Sequence, residues 1–159
     1  MRAVNFYNSR TTDKYNYNGE EYSVIYNLSY IKVSNSILDR TTEDLLLSSC
    51  QNIYKIVDNI DNNTGKLGVI SGRAIGHKLI EIKEEYKDNP TTGAHEIGHT
   101  LHLVPADMHS ETGLMTQFND ASRTAELTQD NINNMIESAR LDFWDRVKNL
   151  VYNFLNDKE

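Results

Sequence analysis

The run His95-Glu96-Ile97-Gly98-His99 contains residue types and a spacing that could do metal chemistry. Two histidines four residues apart on a helix point the same way. Both imidazoles can then reach one zinc ion at about 2.0–2.1 Å, with the adjacent glutamate beside the metal's open position. On a helical wheel Ala94, Ile97, Gly98 and Leu101 fall on the side away from the histidines, so the helix can seat on a core while it faces the metal outward.

A zinc held by two histidines needs a third protein ligand if the fourth position is to hold water. His109, ten residues beyond His99 and past the turn at Pro105, is the first choice, and Asp107 in the same loop is a valid oxygen ligand. Glu126 would make a helix-borne glutamate arrangement. His102 shares the face of His95 but stands two turns away, about 10 Å along the axis, which one ion does not easily span. A surface histidine near a helix C-terminus is its simpler reading. His77 reads as an exposed strand residue.

Several elements must position these groups. The first twenty residues show no clear period and read as an irregular or edge segment. The alternation of Tyr22, Val24, Tyr26, Leu28 and Tyr30 predicts a half-buried strand from Tyr22 to Val33. Thr41-Thr42-Glu43-Asp44 offers a helix start, and Leu46, Cys50, Ile53, Val57 and Ile60 follow at helical spacing. Asp61 to Gly65 reads as a turn that ends that helix. Strands are expected over Lys66–Ser71 and His77–Lys83, with a hairpin-like stretch from Gly72 to Gly76 between them.

After Pro90, Thr91 and Thr92 are expected to cap a helix that runs to about His102, with Pro105 enforcing its end. A polar loop occupies about Val104 to Glu126. Thr128 caps the last helix, with Leu127 and Ile132 placed as a hydrophobic staple, and Ile132, Ile136, Ala139, Phe143, Val147, Leu150 and Phe154 keep helical spacing beyond it. The apolar surface from Asp142 to Leu155 is assigned to core packing, and Cys50 to a small buried thiol on a helix stripe.

The run from His95 through His109 to Met115 (HEIGHTLHLVPADMHSETGLM) resembles the metzincin clan of zinc metallopeptidases, most closely the matrixin-style active site. The matching positions are His95, Glu96 and His99 on the helix, His109 followed by Ser110 in the loop, and Met115 in Gly113-Leu114-Met115. The segment Ala125-Glu126-Leu127-Thr128-Gln129-Asp130 is similar to the one that opens the clan's C-terminal helix. Two departures stand out. His102 occupies the place of the clan's usual glycine after the motif, where the chain turns sharply. Pro105 occupies the usual place of the third histidine, so His109 needs a connection four residues longer. Gln117 stands two residues beyond Met115, where some members have a tyrosine ligand.

The resemblance implies an α+β fold: a small mixed sheet with an N-terminal helix, an active-site helix, a Met-turn and a C-terminal helix. It implies one catalytic Zn2+ held by His95, His99 and His109, with Met115 as an apolar floor beneath the histidines. The expected activity is zinc-dependent endopeptidase cleavage, in which Glu96 takes a proton from zinc-bound water and returns it to the leaving amine. A peptide would add to a strand edge near His77–Lys83, bounded by the Ser110–Glu126 loop. The alternative is a metal-stabilised binding module, or an inactive relative, in which His102 and the longer loop close the site with a fourth ligand.

Composition narrows the field further. The chain has 159 residues and 18.2 kDa, the size of one domain, taken here as residues 1–159. Hydrophobic residues at 38% and charged ones at 25% suffice for a core, which argues against full disorder. A net charge of −7 leaves no basic footprint for a nucleic acid. No apolar run approaches the roughly 20 residues of a membrane span, so no membrane anchor is expected, and the partner the resemblance implies is a peptide or protein substrate, met by a monomer. The N-terminus lacks an apolar signal core, which leaves two expectations for localisation: action where the protein is made, or release from a longer, secreted precursor.

Overall fold

The computed structural model describes residues 2–11, 13–30, 52–60, 70–76, 78–105, 108–117 and 120–139. Helix α1 (Arg2–Asn8) buries Ala3, Val4, Phe6 and Tyr7, which are spaced along one helical face. This corrects the irregular reading of the first twenty residues. The helix is short, so its stability comes from what it packs on: it lies against the histidine-bearing helix, and the Tyr7 hydroxyl donates to the Ala94 carbonyl at 2.7 Å.

Strands β1 (Lys14–Tyr17) and β2 (Glu20–Ser23) form an antiparallel hairpin. Its two-residue turn is Asn18-Gly19, at φ 53° and 84°. Both angles are positive, as the turn matching right-handed strand twist requires, and an Asn-Gly pair accepts them most readily. The expected strand from Tyr22 to Val33 shrinks to its first two residues, and its last three lie outside the described residues. From Val24 to Leu28 the period of two persists, with Val24, Tyr26 and Leu28 turned inward and Ile25 76% exposed. Among the described residues no strand pairs with this stretch, and two side chains bond its backbone instead. Thr11 Oγ1 bonds both the N–H and the carbonyl of Tyr26, and the Asn8 amide does the same for Leu28.

The second sheet has the order β3-β5-β4, built from β3 (Ile53–Val57), β4 (Gly72–Ile75) and β5 (Leu79–Lys83). β3 runs parallel to β5, and β4 antiparallel to it. Two expectations are corrected here. Ile53 and Val57, assigned to a helical stripe with Leu46, Cys50 and Ile60, lie in a strand. The β-branched Ile53, Ile56 and Val57 and the aromatic Tyr54 suit a pleated surface, and pairing with β5 decides the outcome. Leu46 and Cys50 lie outside the described residues, as do the turn at 61–65 and most of the strand expected over Lys66–Ser71. The stretch read as a hairpin connection, Gly72 to Gly76, is itself strand β4 up to Ile75. The strand expected at His77–Lys83 is present as β5.

Ile80 and Ile82 of β5 are buried against the histidine-bearing helix, in a core with Ala3, Phe6, Tyr7, Ala94, Ile97, Leu103, Leu114 and Met115. That helix, α2 (Pro90–Thr100), follows a single 3-10 turn at Glu84–Tyr86. Its cap is Asn89, whose side-chain oxygen accepts from the N–H groups of Thr91 and Thr92 at 3.0 and 3.2 Å. Thr91 and Thr92, expected as caps, are the residues being capped. Pro90 is the reason: its fixed φ and missing N–H suit the first helical position, which puts the cap on the residue before it, Asn89.

The last helix occupies residues 129–139 of the described chain. Thr128 caps it as expected: Thr128 Oγ1 accepts from the Asn131 N–H at 3.3 Å, and Asn131 Oδ1 accepts from the Thr128 N–H at 3.2 Å. This is a reciprocal capping box with asparagine in the place of the usual Glu or Gln. Ile132 is fully buried, and Leu127 packs on the core. The molecule is therefore α+β, with three helices and two small sheets among the described residues. None of its described helices is long and apolar enough to cross a membrane.

Candidate metal centre

Helix α2 ends in a way that determines where the chain goes next. Leu103 N–H bonds the Gly98 carbonyl at 3.0 Å and His102 N–H bonds the His99 carbonyl at 3.2 Å, with His102 at φ 58°. This pair of bonds is a Schellman termination, whose turning residue is usually glycine. The helix stops at Thr100, before Pro105 is reached, so this turn ends it rather than the proline. His102 takes up the left-handed conformation itself and turns the chain back across the end of α2.

Beyond that turn His109 comes to lie beside His95 and His99. One nitrogen from each of the three imidazoles lies within 4.8 Å of the other two. The His95 and His109 rings are stacked, with centroids 5.2 Å apart, and His99 stands edge-on to both. His95 is buried, His99 half-buried and His109 exposed, so the group opens to solvent on one side.

Of the other third-ligand candidates, Asp107 lies outside the described residues. Glu126 is exposed, and neither it nor His102 belongs to the cluster. His77 also lies outside the described residues.

The fit to a metal can be tested on the nitrogens. His95 Nδ1 is 2.8 Å from the Leu114 carbonyl oxygen. A carbonyl can only accept, so Nδ1 carries the proton and Nε2 keeps its lone pair, which is the arrangement a metal-bound histidine needs. His95 Nε2 lies 3.2 Å from His99 Nε2. Two ligands of one tetrahedral zinc at about 2.0–2.1 Å stand about 3.3 Å apart. Burial, foremost, pushes the His95 pKa down to about 3 against the opposing Leu114 hydrogen bond, and the nearby Arg123, His99 and His109 add to the lowering. The ring therefore stays neutral, as a ligand must be. The three histidines fit a metal ion.

Met115, fully buried, lies under α2 against Gly98. Its turn is tied down on both sides, since Ser110 N–H bonds the Met115 carbonyl at 2.9 Å and Leu114 N–H bonds the Glu126 carbonyl at 2.7 Å. Gly113 makes the turn possible with φ 86°, and a β-carbon there would also meet the Glu126 carbonyl oxygen at 2.8 Å.

Glu96 is 6% exposed and its side chain meets strand β4. A β-carbon at Gly72 would come within 2.9 Å of Glu96 Cγ, so that glycine makes room for the carboxyl. Burial pushes the Glu96 pKa up to about 8, against the opposing pull of Arg123 and a hydrogen bond from the Ala74 backbone. Its charge in turn adds to burial in raising Tyr54 to about 12. Tyr54 reaches α2 from β3, its hydroxyl 2.5 Å from where a Gly93 β-carbon would sit.

Sequence reasoning missed Tyr54, Arg123, Asn131 and the Leu114 carbonyl. Tyr54 was hidden by the helical reading of its strand. Arg123, whose guanidinium donates to the Thr91 carbonyl at 3.1 Å, stands alone in a polar loop. Asn131 carried one usable signal, its position three residues after the Thr128 cap. The chain matches no protein-family model, no curated protein and no solved structure.

Proposed function

We propose that this protein is a zinc-dependent endopeptidase of the metzincin type. The observation that carries the reading is the convergence of His95, His99 and His109 with His95 Nδ1–H held by Leu114. Three imidazole ligands would leave one position of a tetrahedral ion for substrate or water, as catalytic sites do and closed structural sites do not. Among the described residues His102 and Glu126 lie outside the cluster, so neither is the fourth ligand that the closed-site alternative requires. Supporting the reading further are Met115 beneath the helix and edge strand β4, along which an extended peptide could add. Strand β5, where the sequence reading put that edge, is the central strand with both sides paired, and among the described residues β4 is one of the two outer strands.

A zinc ion bound by the three histidines would polarise the scissile carbonyl and acidify the attacking water. The chain's own residues do the rest. Leu114 fixes the His95 ring, and Met115 supports the helix from below. Glu96, adjacent to His95 in sequence, takes a proton from the attacking water and delivers it to the leaving amine.

The test is a peptide-library digest read by mass spectrometry, with zinc-loaded wild type and Glu96→Gln in parallel. Chelator-sensitive cleavage by wild type, reduced about 10²–10⁴-fold in the variant, is expected. A folded, zinc-loaded wild type that cleaves nothing would transfer the assignment to a metal-stabilised binding module.

A further inference from the structure

Asn131 is fully buried at the start of the last helix. Its Nδ2 donates to the Leu103 carbonyl at 3.0 Å and to Ser110 Oγ at 2.9 Å, while its Oδ1 accepts from the Thr128 N–H. The amide orientation follows from chemistry: a backbone N–H on one side and a backbone carbonyl on the other leave only one way to place its oxygen and nitrogen. Both amide hydrogens are used, on acceptors seven residues apart in sequence.

Those two acceptors bracket the segment that delivers His109. Leu103 is the residue where α2 has just turned back, and Ser110 follows His109 directly. Asn134 Nδ2 reinforces the first anchor, reaching the same Leu103 carbonyl at 3.2 Å, and the Ser110 N–H bond to Met115 reinforces the second. One buried side chain therefore holds both ends of a long loop whose exposed histidine must meet two helix-borne ones. A carboxylate at position 131 could not do this, since it would set an acceptor against the Leu103 carbonyl.

We propose that Asn131 is a positioning residue for the metal centre: by clamping Leu103 and Ser110 it holds His109 within ligand distance of His95 and His99. The proposal rests on the metal reading of the three histidines. It makes the metal affinity of this site depend on the two Asn131 amide donors rather than on the helix cap itself, donors that no other side chain of the same shape supplies.

The experiment titrates the full chain with Zn2+, and separately with Co2+ followed by its visible absorption, for wild type, Asn131→Asp and Thr128→Ala. Thr128→Ala removes the hydroxyl from the same capping box but leaves both Asn131 donors in place, so it controls for loss of stability alone. Asn131→Asp is expected to weaken metal binding about 10–100-fold and to change the Co2+ spectrum, while Thr128→Ala keeps wild-type affinity and spectrum despite a lower Tm. Wild-type affinity and spectrum in Asn131→Asp would overturn the positioning role alone. So would equal weakening in Thr128→Ala. If Asn131→Asp does not fold, Ser110→Ala decides: weaker binding with a changed spectrum supports the clamp, and unchanged binding overturns it. A wild-type chain that binds neither ion overturns the metal reading, and this proposal with it.

Discussion

Gly98 leaves a space that the thioether of Met115 fills: a β-carbon at position 98 would collide with Met115 Sδ and stand 3.1 Å from its Cε. The helix that carries His95 and His99 thus rests directly on the turn that follows His109. Close approach of backbone to side chain is what glycine allows, at the expense of helix propensity. The relationship couples the seating of the helix to the turn whose Leu114 carbonyl orients His95.

Gly98→Ala is therefore expected to destabilise the protein by about 1–3 kcal/mol, as overpacking of a full core does, although alanine is the better helix former. Urea unfolding measures the loss, and zinc titration of the same variant should show weaker binding because the histidines shift with the helix. A variant as stable as wild type would mean that Met115 can swing aside.

His109→Ala is expected to lose about 10²–10³-fold in zinc affinity, taking one ligand's share of the roughly 10–16 kcal/mol that four ligands supply in structural sites. His102→Ala should leave the affinity near wild type, because His102 lies outside the cluster. Competition titration with a chromophoric chelator distinguishes the two. The reverse order would exchange their assignments.

Zinc should stabilise the fold by simple mass action. At a free concentration 100 times Kd the gain is about 2.7 kcal/mol, equivalent to about 5–10 °C in Tm for a chain of this size. Thermal unfolding with and without chelator measures it. No shift on chelation would mean that the folded protein leaves the three histidines without an ion.

His102→Gly should raise stability by about 0.5–1 kcal/mol. The left-handed conformation at φ 58° costs a side-chain-bearing residue about 1–2 kcal/mol, and glycine's greater freedom in the unfolded chain returns part of that gain. Thermal or urea unfolding would detect it. A loss of stability instead would show that the imidazole contributes more through its own contacts than the backbone strain costs.

Much of the site was legible in the residues themselves. His95 and His99 are joined by helical spacing, a short-range relation that needs no knowledge of the rest of the chain. Thr128 and its helix were readable for the same reason, since a cap and its first turn are neighbours in sequence. The Asn18-Gly19 hairpin carried an equally local signal, though the polar composition around it obscured the signal. Side-chain period also recorded which way Val24, Tyr26 and Leu28 face. It could not record that the Thr11 and Asn8 side chains would bond the backbone of Tyr26 and Leu28.

The tertiary structure decided what depends on distance along the chain. Ile53 and Val57 fit a helical or an extended spacing equally well, and only pairing with β5 selects the strand. His109 stood among four candidates because a loop's path is unconstrained by periodicity. Its place is determined by a left-handed turn at His102 and by the Leu103 and Ser110 anchors on Asn131, groups that lie close together only once the last helix has docked. The types of the candidate metal ligands are written locally, while their convergence is a property of the fold, because it requires contacts whose partners are 21 and 28 residues apart.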